Sequence, residues 1–254
     1  MRINFILVLC LFFASCVNTE KSSKNADKAF LKLQIGVSLI EKNELPQALK
    51  ELLEAESLDP DSALVHNNLG LVYFLRKKTD LAIKHYSKAV SLKPDFTEAK
   101  NNLARVYIEI KQYKDAEKLL NQVIEDLTYN NVPAAYMNFG LMRFNQKNYP
   151  EAKSYFRKLL EVSREDCYAN VYYGRSYLEM NQLKDAAEQL DKAATYCKPF
   201  NIDEGHYYSA IAYYRMGKRD RAVARFEEII QTFKESFNKK NSEQMLQIIK
   251  KGPR

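Results

Sequence analysis

Residues 63–96 read ALVHNNLGLVYFLRKKTDLAIKHYSKAVSLKPDF, and residues 97–130 read TEAKNNLARVYIEIKQYKDAEKLLNQVIEDLTYN. Laid over each other, these two 34-residue stretches set Gly70 on Ala104 and Ala82 on Ala116. The register runs on in both directions. Alanine recurs at Ala48, Ala82, Ala116, Ala152, Ala186 and Ala222, at separations of 34, 34, 36, 34 and 36 residues. Twelve positions before each stands a small residue: Gly36, Gly70, Ala104, Gly140, Gly174 and Ala210. Such a period means stacked helical hairpins, each burying its apolar face against its neighbours. The two small positions are expected to face one another across each hairpin, letting its helices approach closely.

A 34-residue helix–turn–helix unit with small residues at positions 8 and 20 resembles the tetratricopeptide repeat. Six units start near residues 29, 63, 97, 133, 167 and 203. The expected fold is all-α: a solenoid of six helix–turn–helix repeats over residues 29–236, wound as a right-handed superhelix. A capping helix and basic tail follow over 237–254, the cap presenting Met245, Leu246, Ile248 and Ile249 on its apolar side. Pro46 and Pro150 fall at position 18, in the first turn of the second helix, where a missing N–H costs little. Pro60 and Pro94 end second helices. The two longer spacings place insertions at residues 130–133 and 198–201.

The N-terminus reads as a targeting segment. Arg2 precedes an apolar run from Ile3 to Phe13, too short to span a bilayer but suited to a signal-peptide core. Phe13-Ala14-Ser15-Cys16 resembles the lipobox of bacterial lipoproteins. The expectation is a signal peptide over 1–15, a lipidated Cys16, and a polar tether over 16–28; an ordinary secretory signal or an uncleaved anchor is the competing reading. Export would put the remaining cysteines in an oxidising compartment. Cys167 and Cys197 stand at positions 1 and 31 of the fifth unit, neighbouring ends of an antiparallel hairpin, so a disulfide between them is geometrically reasonable. Two separate buried thiols are the alternative.

The formal charge of +7 is spread over helix surfaces. It reads as a solvated exterior, with no call for nucleic acid in an exported chain. Enzymatic chemistry finds no motif: there is no nucleotide-binding glycine pattern, no serine nucleophile motif, and no histidine–cysteine spacing for a metal. His66 and His206 fall at packing positions. The expectation is a non-enzyme with no cofactor, no metal and no small-molecule substrate.

Recognition is expected in a groove lined by the first helix of every unit. Position 6 carries Asn68, Asn102 and Asn138, whose amides can bond a peptide backbone; the alternative is that asparagine is simply common there. Position 9 carries Arg105 and Arg175, which can meet carboxylates. Leu33, Val37, Leu71 and Phe74 form an apolar stripe that receives a partner segment or buries a neighbouring repeat. Chaperone-binding repeats use lysine at position 5 and asparagine at position 9. Here Leu33 with Val37, and Asn67 with Leu71, replace them, so that clamp is broken.

A lipobox followed directly by six such units resembles the pilotin lipoproteins of type IV pilus biogenesis. The resemblance covers roughly residues 29–230, in QIGVSLIEKNELPQALKELLEAESLDPDSALVHNNLGLVY, in PDFTEAKNNLARVYIEIKQYKDAEKLL and in the insertion before AAYMNFGLMRFNQKNYPEAKSYF. It implies a protein anchored by lipid to the periplasmic face of the outer membrane. There it would bind the secretin subunit and promote its assembly into a multimeric pore. A general periplasmic scaffold lipoprotein, in outer-membrane protein assembly or cell-wall enzyme regulation, is the alternative.

Overall fold

The computed structural model describes residues 24–252. Among them thirteen α-helices follow one another and no strand occurs. Helix α1 covers residues 24–41. Then come α2 (Leu45–Leu58), α3 (Ala63–Leu75), α4 (Thr79–Leu92), α5 (Thr97–Glu109) and α6 (Tyr113–Glu125). A second set comprises α7 (Val132–Asn145), α8 (Tyr149–Val162), α9 (Cys167–Glu179), α10 (Leu183–Cys197), α11 (Glu204–Arg215), α12 (Arg219–Thr232) and α13 (Phe237–Lys251). The chain forms two compact units, one ending at Asp126 and one beginning at Leu127. Within each, consecutive helices pack on one another, and the first helices of adjacent repeats also touch: α3 on α5, α7 on α9, α9 on α11. The expected signal peptide, Cys16 and most of the expected tether lie outside the described residues. Residues 24–28, assigned to that tether, are instead the first turn of α1. Ala29 is already in the core, and the turn before it supplies the carbonyls that its helix needs.

The packing inside each hairpin differs from expectation. What fills the notch at position 8 is the large residue at position 24, not the alanine at position 20. A Cβ added to Gly70 would lie 2.7 Å from Tyr86, one on Gly140 2.5 Å from Phe156, one on Gly36 2.8 Å from Leu52, and one on Gly174 2.6 Å from Leu190. The alanines at position 20 are fully buried one helical turn earlier. Residues four apart share a helix face, so the alanine lets the helices close while its neighbour reaches across.

The turn inside each hairpin also repeats. Position 15 is left-handed in all six units, at Asn43, Lys77, Lys111, Lys147, Asn181 and Gly217, with φ from +57° to +74°. In the second unit the Lys77 amide donates to the Phe74 carbonyl at 2.9 Å and the Lys78 amide to the Tyr73 carbonyl at 2.8 Å. These two bonds close the end of α3 as a Schellman motif.

The second unit carries further ties. The insertion after α10 forms a 3-10 turn at Lys198–Phe200, followed by left-handed Asn201. A disulfide joins Cys167 to Cys197, with Cα atoms 4.8 Å apart and a sequence separation of 30. A closed loop of that length stabilises by about 3–4 kcal/mol on the chain-entropy view. Asp191 on α10 accepts from Ser209 at 2.5 Å, Tyr213 at 2.7 Å and Arg225 at 2.8 Å, joining three helices. Buried Asp203 accepts from Ser236 and Asn238 at the start of α13. Helix α13 caps α12 with Leu246 and Ile249 buried, but Ile248 is 53% exposed. Adjacent residues point about 100° apart on a helix, so the expected run of apolar neighbours could not all face inward.

Two outcomes follow from this packing. Gly205 lies against backbone: a Cβ there would stand 2.4 Å from the Ala194 amide nitrogen. Backbone cannot swing aside as a side chain can, so Gly205→Ala should destabilise by about 1–3 kcal/mol or more. Gly36→Ala, whose close contacts are with the side chain of Leu52 while the backbone stands off at 3.6 Å, should cost less; denaturant unfolding of the two variants checks the order. The second concerns His206, buried against Phe233 with Nε2 3.2 Å from Glu228 and Nδ1 without a hydrogen-bond partner. Burial lowers its pKa below the ordinary 6.5, helped by the charge of Arg225 and opposed by Glu228 and Asp203. The unfolded chain therefore takes up this proton at higher pH than the folded one, and stability is lost as pH falls below about 6.5. Melting temperature should drop between about pH 7.5 and pH 5.5, with a shallower drop in His206→Gln.

Candidate functional site

The first helices of the repeats carry the residues expected to meet a partner, and the structure divides them into three groups. Some are core. Leu33 is only 6% exposed and packs with Leu52, Val65 and Leu69. Asn138 is 4% exposed. Neither offers a binding surface, because both point towards the neighbouring helices.

A second group is half-buried and polar but already engaged. Asn68 donates to the Leu64 carbonyl of its own helix at 2.9 Å. Asn102 donates to the Asn67 side chain of the preceding repeat at 3.1 Å. The expected ladder of free amides therefore does not form; on packed helices, amides that lose water find protein partners. Asn102 works here as a tie between repeats.

The third group is available. Val37, Leu71 and Phe74 are half-buried on the margin of the core, and Leu75 is exposed beside them. They make an apolar strip along α1 and α3. In the second unit the corresponding face of α7, α9 and α11 is built around Arg175. Its guanidinium carbon lies 4.8 Å from the ring centre of Phe144, 4.8 Å from Tyr172 and 4.3 Å from Tyr208. Each helix contributes one ring, and stacked cation–ring contacts of this kind contribute about 0.5–2 kcal/mol apiece. Arg175 Nε is buried without a hydrogen-bond partner. Burial raises the Tyr208 phenol above its usual range, with the Arg175 charge pulling the other way.

Arg105 occupies the same repeat position with a different outcome. It pairs with Glu109 on its own helix at 3.6 Å, with both side chains a little under half exposed. The position-6 neighbour on its helix is Asn102, whereas Arg175 has Tyr172 on its own helix and Tyr208 on the next. Rings hold an arginine for an incoming group; a nearby carboxylate consumes it. Tyr172 and Tyr208 escaped the sequence reading, which treated position 6 as an asparagine ladder. An arginine at position 9 flanked by tyrosines at position 6 of two successive units was the signal available.

All three histidines are buried. Against the expectation of no metal-competent grouping, His66 and His85 meet across α3 and α4, with Glu56 of α2 beside them.

Comparison with known proteins agrees with this geometry. Models of the tetratricopeptide repeat match residues 36–76, 73–128, 137–202 and 204–236. No curated protein sequence matches the chain. Among solved structures, PilF of Pseudomonas aeruginosa is similar with a TM-score of 0.73 at 21% identity, covering 89% of this chain and 99% of that one. PilW, described as a widely conserved type IV pilus biogenesis factor, reaches 0.77 at 19% identity, over 86% and 97%. The Cut9–Hcn1 complex of the APC/C reaches 0.76 at 16% identity, over 90% of this chain and 45% of that one. At these identities the likeness is one of fold.

Proposed function

We propose, for a chain built of tetratricopeptide repeats and hence a protein-interaction scaffold, that it is a type IV pilus pilotin. It binds the secretin subunit through its first-helix faces and promotes assembly of the outer-membrane pore. The observation that carries the binding reading is Arg175: a cation held by three aromatic rings, with a buried nitrogen lacking a partner. A carboxylate of an incoming segment meets the guanidinium of Arg175 at its open edge, as a charge-assisted hydrogen bond. The strip of Val37, Leu71 and Phe74 takes an apolar part of the partner. Similarity in fold to PilF and PilW over nearly their whole length supports the pilus assignment, as does the lipobox reading of Cys16. The acyl chains on Cys16 hold the solenoid at the membrane while the repeats keep the secretin segment from aggregating before subunits associate.

Deleting the gene and blotting for heat-resistant secretin multimers tests this. The expected result is lost multimers with monomer still present, restored by the wild-type gene. Arg175→Ala should restore fewer multimers while remaining folded, as circular dichroism checks, since the residue lies on the partly exposed face of α9; its secretin affinity should fall by about tenfold or more. Unchanged multimers in the deletion would favour the general scaffold. Cys16→Ser should leave the protein folded but absent from the outer-membrane fraction. Normal fractionation would rule out the lipid anchor.

A further inference from the structure

We infer that Glu56, His66 and His85 form a binding site for a divalent transition-metal ion, zinc in the first instance, at the joint between the first and second repeats. The three residues come from three helices, α2, α3 and α4. His66 Nδ1 lies 3.1 Å from His85 Nδ1, and Glu56 Oε1 lies 3.7 Å from the former and 3.9 Å from the latter. A triangle with these edges has a circumscribed radius of about 2.1 Å, which is the distance at which zinc holds imidazole nitrogen and carboxylate oxygen. A single point is thus at bonding distance from all three atoms without rearrangement of the helices.

The surroundings suit ligation. His66 Nε2 lies 2.9 Å from the Pro60 carbonyl. A carbonyl only accepts, so this nitrogen carries the proton and Nδ1 turns its lone pair towards His85. Orientation of one imidazole nitrogen by a backbone carbonyl is the usual support behind a metal-bound histidine. The His85 ring is stacked on Tyr73, with centres 5.2 Å apart, which holds its plane. Without an ion His85 Nδ1–H donates to His66. With one, that proton leaves Nδ1 and Nε2 carries a proton taken from water, so the ring stays neutral. Both histidines are buried, while the Glu56 side chain is 30% exposed and opens the entry path. Two imidazoles and one carboxylate favour zinc and its neighbours over calcium or magnesium, which take oxygen ligands. Water completes the fourth position. An ion here ties the last turns of α2 to both helices of the second repeat, a staple in the first unit where the disulfide serves the second.

The test is zinc titration of tag-free, full-length protein by calorimetry, with melting temperature followed in parallel. One equivalent should bind with micromolar or tighter affinity and raise the melting temperature as occupancy requires, whereas calcium should do neither. Glu56→Gln, at a partly exposed position and checked for fold by circular dichroism, should weaken zinc by about tenfold or more. The double variant H66N/H85Q should lose this equivalent, while any zinc held elsewhere on the protein would remain in it. Absence of saturable zinc uptake by the wild type, or unchanged affinity in Glu56→Gln, would overturn the assignment. The site is independent of the secretin reading: its ligands lie outside the Arg175 face, and its readout needs no partner.

Discussion

In every repeat a large apolar side chain at position 24 enters the notch left by glycine or alanine at position 8: Leu52, Tyr86, Leu120, Phe156, Leu190 and Phe226 are all essentially fully buried. This contact sets the distance between the helices of each hairpin. The rest depends on that distance, because a hairpin held too wide would misplace the face that the next repeat must cover. The notch is not uniform. Where position 8 is alanine, as at Ala104 and Ala210, the facing side chains are Leu120 and Phe226, and the added methyl is accommodated. Where it is glycine, the facing group already occupies the space a methyl would need.

The turn at position 15 is the second constraint. Its left-handed backbone lets two amides bond back to the carbonyls of the first helix and redirects the chain into the second. Only Gly217 is a glycine there. Asparagine at Asn43 and Asn181 tolerates the conformation, but Lys77, Lys111 and Lys147 adopt it at a steric cost of about 1 kcal/mol each. Packing of the hairpin outweighs that cost, since each turn joins helices that bury several large side chains.

Chemistry on the first-helix faces depends on what stands beside each polar group. Asn102, Asn68, Arg105 and Arg175 are of residue types that suit peptide recognition, yet three of them are engaged by protein neighbours. Arg175 differs because rings rather than carboxylates surround it. Within the first unit, Glu56, His66 and His85 converge although steps of 10 and 19 positions separate them in the chain. A metal motif of fixed short spacing would not have revealed them, because their proximity comes from stacking one repeat on the next.

By itself the sequence determined the number of repeats, the helix pairs, the places of Pro46 and Pro150 in the first turns of α2 and α8, and the pairing ends of Cys167 and Cys197. These follow from periodicity and from local backbone chemistry, which a 34-residue repeat displays six times over. Only the tertiary structure decided that Leu33 and Asn138 are core, that Ile248 faces solvent, and that position 24 rather than position 20 fills the glycine notch. It also decided that Arg175 is caged while Arg105 is paired. The physical reason is the same in each case: side-chain direction and the identity of the nearest non-local neighbour are set by how adjacent helices stack, and that information is not carried by any one helix.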